Sequence, residues 1–125
     1  MNHVDFIRSQ GDAVICTLGA EGEPQAAYLS ITATDAGELV FDAKADSRKV
    51  ANLHRDPRIA VVVGGADGTT LQVEGTADFA NGAELARVSA GYLSAFPQFE
   101  QSLRDPSIVV IRVVVSWSRY GDYRN

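Results

Sequence analysis

The chain is short of the residues that usually announce redox, metal or disulfide chemistry. It holds one cysteine, one methionine, one tryptophan and two histidines in 125 residues. A lone Cys16 excludes an internal disulfide and suits a reducing compartment, so a cytoplasmic location is expected. It lies in an apolar run with no His or acid beside it, which reads as a core residue rather than a nucleophile. His3 and His54 are far apart, and no Cys, His or carboxylate spacing suggests a metal site. His54 near a helix end reads as a favourable terminal charge. No apolar run approaches the roughly 18 residues of a membrane span. The start, Met-Asn-His-Val-Asp, shows no secretory leader. Positive charge is in deficit as well: 11 Lys and Arg stand against 16 Asp and Glu, and a net charge of -5 argues against nucleic-acid binding.

What is present is a globular pattern. At 46% hydrophobic residues the chain can bury a core, and its length suits one domain over 1–125. Val4 and Ile7 share one side of a short first helix. Strands are predicted over Ala13–Leu18, Gln25–Thr34, Glu38–Phe41, Arg58–Val63, Leu71–Phe79 and Ser107–Val115. Glycine-rich turns separate most of them: Gly19 to Pro24, Asp35 to Gly37, and Gly64 to Gly68. The fifth strand is the clearest. Leu71, Val73, Gly75, Ala77 and Phe79 alternate with Gln72, Glu74, Thr76 and Asp78, so one face is buried and the other polar. The sixth is nearly all apolar, which predicts cover on both faces and a second copy of the chain to provide it. Arg112 interrupts it, either exposed at an edge or paired with an acid across a dimer. Asn81 to Glu84 resembles a capping box that opens a helix, with Leu85, Val88, Tyr92 and Phe96 at helical spacing. Six strands with hairpin links and few helices predict a mainly β (α+β) fold, an antiparallel barrel with small flanking helices.

One segment carries chemistry. Between the third and fourth strands a helix is predicted from about Asp46 to His54, capped by Asp46 or Ser47 and stopped by Pro57. It opens with Ser47-Arg48-Lys49. A helix N-terminus offers unpaired N–H groups and a partial positive charge, and a hydroxyl with two cations adds donors for phosphate oxygens. The segment reads as a phosphate grip or, equally, as a solvated helix with ordinary charges.

The order of these elements resembles the pyridoxamine 5'-phosphate oxidase-like family of FMN-binding split barrels, over about Ala13 to Tyr120. Ser47-Arg48-Lys49 followed by Leu53 and Asp56-Pro57 is similar to the family's Ser-Arg-Lys segment. Gln72-Val73-Glu74-Gly75 is similar to its Gln-Val-x-x-Gly segment, with one residue fewer. The resemblance implies a six-stranded split barrel and a homodimer holding FMN in a groove between subunits. Arg48 and Lys49 would meet the phosphate, helped by Ser47. Gln72 would reach the isoalloxazine edge, or else simply lie on a solvated face. Trp117 and Arg119 resemble a Trp and an Arg that approach the flavin in the oxidases, although Trp117 and Tyr120 also suit packing. A deazaflavin or haem occurs elsewhere in the superfamily.

The chain also departs from the oxidases. Their second strand carries an Arg and a Lys for phosphates, whereas Gln25 to Thr34 has no cation. Their Tyr-x-x-Arg-Pro-like segment reads Tyr92-Leu-Ser94-Ala-Phe96-Pro97 here. The vitamin B6 reaction is therefore not expected. No residue stands out as a general acid or base, which suits chemistry carried by a cofactor. The expected function is an FMN-dependent oxidoreductase acting on a small molecule, or alternatively a flavin, deazaflavin or haem module for storage, sensing or electron relay.

Overall fold

The alternating segment becomes the middle strand of a curled, wholly antiparallel sheet. The computed structural model describes residues 2–124. Helix α1 (His3–Gln10) leads into strands β1 (Asp12–Leu18), β2 (Pro24–Ser30), β3 (Thr32–Ala33) and β4 (Leu39–Lys44). Helix α2 (Arg48–Arg55) crosses to β5 (Arg58–Gly64) and β6 (Thr69–Phe79). Helix α3 (Gly82–Ala95), a 3-10 turn (Pro97–Phe99) and α4 (Glu100–Arg104) then precede β7 (Ile108–Asp122). The strand order is β2-β1-β5-β6-β7-β4-β3. Its two edge strands are consecutive in the chain, so the backbone at Ile31 joins the edges and no ladder closes the gap. That is a split barrel. Ile31 is fully buried and donates its N–H to Gly11 O at 3.1 Å, which breaks the predicted second strand in two and makes seven strands rather than six.

Inward side chains fill the barrel. Ile15, Val61, Val63, Leu71, Val73, Ile111 and Val113 all belong to one core, capped by Phe6 and Ile7 of α1 and by Val50 and Leu53 of α2. A second, smaller core lies outside the sheet. There Val40 and Val110 pack under Val88 and Tyr92 of α3, with Phe96, Phe99 and Leu103 around them. Phe96, where the oxidases carry an arginine, is thus a packing residue. The capping box does not form: Asn81 makes no side-chain cap bond, and Glu84 turns to Arg87 and Arg112. Leu85 remains exposed.

The largest departure from expectation is β7, which continues seven residues past Val115. Within one chain α3 covers Val110, whereas Val114 is 49% exposed. A β-bulge follows. Gly75 pairs with Val115 and Glu74 with Trp117, leaving Ser116 as the extra residue, its hydroxyl donating to Glu74 O at 3.1 Å. Gly75 permits the close approach, since a Cβ there would lie 2.3 Å from Val114 O. The extra residue inverts the in–out phase of all that follows. Without it Trp117 and Arg119 would point inward with Val113 and Val115; with it they share the outer face with Glu74 and Gln72, their cross-strand partners.

Arg112 is neither a free edge charge nor one that needs a second chain. It bonds Asp78 across the ladder at 2.7 Å and Glu84 of α3 at 2.8 Å, with Glu38 at 3.5 Å. Arg87 makes two bonds to the same Glu38, pinning α3 to the start of β4. The bonds from Arg87, then that from Thr34, hold the Glu38 carboxyl at about 2, well below its ordinary 4.5. A depressed carboxylate stabilises the fold above its ordinary pKa, and that contribution fades as pH falls through the folded value. The advantage of wild type over Glu38→Gln in urea unfolding is therefore expected to be full above pH 4.5 and to vanish toward pH 2. A gap that stays constant across that window would contradict the pairing.

Candidate functional site

Helix α2 forms where its charges can serve a ligand. Its mean polarity is high, but Val50 and Leu53 anchor one side in the barrel core. The helix opens with Ser47 at the N-cap position, in extended conformation, then Arg48 and Lys49. An N-cap serine ordinarily accepts from a backbone N–H of the first turn. Ser47 does not: its Oγ is buried and has no hydrogen-bond partner. Such a hydroxyl carries a desolvation cost that a bound acceptor or donor would relieve. The first-turn N–H groups of a helix have no partner within it either.

Arg48 and Lys49 border a cleft of about 190 Å³ whose floor is Thr17, Gln25 and Asn52. Asn52 is the site residue that the sequence reading missed. It is 3% exposed, and its amide nitrogen donates to Thr17 Oγ1 at 2.9 Å and Gln25 Oε1 at 2.8 Å. Its oxygen accepts from Arg55 at 3.3 Å, which fixes the amide orientation because Arg can only donate. One side chain thus ties α2 to β1 and β2. The available signal was a polar residue beside Leu53 on the buried side of the helix, three positions after Lys49.

The charge pattern is selective. Arg8, Arg58, Arg87, Arg104, Arg112 and Arg124 are all paired with carboxylates. Among the described residues, Lys44, Arg48, Lys49, Arg55 and Arg119 form no ion pair. Three of these five lie on α2. The residues present therefore fit a phosphate: two uncommitted cations over a fixed polar floor, at a helix start whose N-cap hydroxyl is orphaned just outside the cleft lining.

Gln72, Trp117 and Arg119 lie elsewhere. They sit on the outer face of the sheet, whereas Thr17 and Gln25 face inward. Cross-strand pairing sets two outer rows. One runs Tyr28, Val14, Val62, Gln72, Arg119, and the next Ala26, Cys16, Ala60, Glu74, Trp117. A depression of about 490 Å³ lies over them, lined by Val14, Val62, Gln72, Trp117 and Tyr123 among others. Cys16 belongs to this outer face and is half-exposed, contrary to the expected core position; Ile15 and Thr17 take the inward places on β1. One chain therefore does not bring Ser47, Arg48 and Lys49 together with Gln72 and Trp117. The histidines reach neither place. His3 contacts Gly37 O, and His54 stacks on Phe79 at 4.1 Å. A further depression, about 870 Å³ between α1 and α3, has its two arginines, Arg8 and Arg87, already engaged by acids.

Among the described residues no helix is long and apolar enough to cross a membrane. No curated protein matches the chain. Solved structures do. A conserved hypothetical protein from Mycobacterium tuberculosis is 26% identical with a TM-score of 0.81, over 98% of this chain and 83% of that one. A heme binding protein from Mycobacterium smegmatis is 23% identical with a TM-score of 0.84, over 100% of this chain and 56% of that one. An F420 reductase is 20% identical with a TM-score of 0.70, over 92% and 94%. The family model for pyridoxamine 5'-phosphate oxidase matches residues 2–121. With that match over a split barrel that carries the Ser47-Arg48-Lys49 helix, the chain belongs to the pyridoxamine 5'-phosphate oxidase family.

Proposed function

We propose that this chain is a homodimeric FMN-binding protein and acts as an oxidoreductase on a small molecule. The observation that carries the reading is the cleft bordered by Arg48 and Lys49, which form no ion pair among the described residues, at the start of a helix whose N-cap Ser47 has a buried, unpartnered Oγ. Arg48 and Lys49 bind the phosphate, helped by Ser47, and Asn52 holds the helix that presents them. Gln72, Trp117 and Arg119 of a second copy meet the ring, because one copy keeps them on the other side of its sheet. The exposed apolar side chains of that outer face, Val14, Val62, Val114 and Trp117, support a face that a second copy covers. FMN, when bound, supplies hydride and electron transfer; the protein binds, orients and shields it.

A second reading keeps the binding and drops the turnover: a module for FMN, a deazaflavin or haem. Its support is the heme binding protein and the F420 reductase of the same fold. Against haem, neither histidine lies in either cleft. The visible spectrum of freshly purified protein separates flavin, deazaflavin and haem, and reduction by NADPH followed by transfer to an acceptor separates enzyme from module.

Two substitutions test the phosphate site. A phosphate monoester carries a charge of about -2, and charge-assisted bonds contribute roughly 1.5–3 kcal/mol each. Lys49→Ala is expected to weaken FMN binding by about ten- to a hundredfold in a fluorescence titration, and affinity should fall as salt rises. Equal affinities would remove Lys49 from the site.

Ser47→Ala is expected to act with opposite signs on the two states. It weakens FMN binding, yet stabilises the apo-protein by roughly 1 kcal/mol, because it deletes a buried hydroxyl that bonds nothing. Loss of apo stability in denaturant unfolding would mean that the hydroxyl serves the fold and not a ligand.

A further inference from the structure

Helix α3 packs over β3 and β4 and leaves a hydroxyl stranded beneath it. Thr32 stands opposite Val40 on the β3–β4 ladder, so both side chains share the sheet face that carries the second core. Thr32 is 1% exposed, and its side chain makes no hydrogen bond among the described residues. It nevertheless lines the 870 Å³ depression between α1 and α3. A hydroxyl kept among apolar neighbours without a partner is unfavourable, and a ligand in the depression would supply the partner.

The two arginines of the depression are held differently. Arg87 is bound by both Glu38 and Glu84. Arg8 has one acid, Asp35, whose side chain is 98% exposed. So exposed a pair contributes little to the fold, and another carboxylate can take Asp35's place. Arg8 Nε donates to Ala33 O at 3.0 Å, which aims the guanidinium beside Thr32, and Nη1 has no partner among the described residues. Between the arginines α3 presents a ledge of Ala90, Gly91, Ser94 and Ala95, with Phe96 at its end. Packing does not demand glycine there: a Cβ on Gly91 would meet Thr34 Cγ2 at an ordinary 3.8 Å. Glycine inside a helix is unfavourable, and here it keeps the ledge open.

We propose that this depression binds a small organic monocarboxylate, held by Arg8 and the Thr32 hydroxyl, with its apolar body over Gly91, Ala95 and Phe96. The site is separate from the α2 cleft and from the outer face of the sheet, and it does not rest on the FMN reading. One guanidinium and one hydroxyl match one carboxylate. A cation would meet Arg8 and Arg87. A phosphate dianion would need a second cation, and Arg87 is already held by two acids.

The probes are benzoate and its neutral isostere benzamide, titrated against the purified protein by ligand-observed NMR. Benzoate is expected to bind saturably, and benzamide about tenfold more weakly or worse. Arg8→Met, which keeps the aliphatic stem, should weaken benzoate by about tenfold, and Asp35→Asn, which removes the competing acid, should tighten it. Gly91→Leu fills the ledge and should abolish binding in protein whose circular dichroism is unchanged. Lys49→Ala should leave benzoate affinity as it is, because that lysine borders the other cleft. No saturable binding by wild type, equal affinities for the two probes, weaker binding to Asp35→Asn, or full binding to Gly91→Leu would overturn the site. Loss of binding in Lys49→Ala would overturn it too, by placing the carboxylate at α2. None of these results bears on FMN, which is titrated separately.

Discussion

One extra residue on one strand decides what the outer face can do. The bulge at Ser116 resets the alternation of β7, so that Trp117 and Arg119 come to lie beside Glu74 and Gln72. A strand has a period of two, and only an inserted residue can move a whole run of side chains to the other face. The absent side chain at Gly75 makes room for that insertion, and the Ser116 hydroxyl holds it against Glu74 O. The aromatic wall of the depression, its neutral amide and its carboxylate all depend on that phase.

A second constraint is how charge is shared out. Most arginines are spent on structure: Arg87 and Arg112 fasten α3 across β4, β6 and β7, and Arg8 fastens α1 to the β3–β4 turn. What is left uncommitted falls mainly on α2, which starts at the orphaned Ser47 hydroxyl and whose Arg48 and Lys49 line a cleft with Asn52. A cation already paired with a carboxylate would have to give up that pair to bind a phosphate. Uncommitted ones need not.

Much of this was legible in the chain, and the limits have physical causes. β6 was plain because its inner positions alternate strictly, and the α2 motif because serine, arginine and lysine open a helix after a strand. The end of β7 was not, because Ser116 breaks the alternation and the polar residues after it imitate a loop. Ile31 hid the break between β2 and β3, since an apolar residue reads the same in a continuous strand and at a corner. Cys16 was assigned to the core from an apolar run in which inward and outward positions are equally apolar. Asn52 was overlooked because burial of an amide depends on partners 27 and 35 residues away.

The central claim is that two copies hold one flavin phosphate at α2 of the first and the flavin ring on the outer face of the second. Sedimentation of FMN-loaded protein, followed at a flavin wavelength, tests it most directly. The account predicts that flavin absorbance moves with the mass of two chains, and that dilution below the dimer's dissociation range releases flavin and separates the chains together. Flavin that stays with a single chain after the dimer has come apart would contradict it.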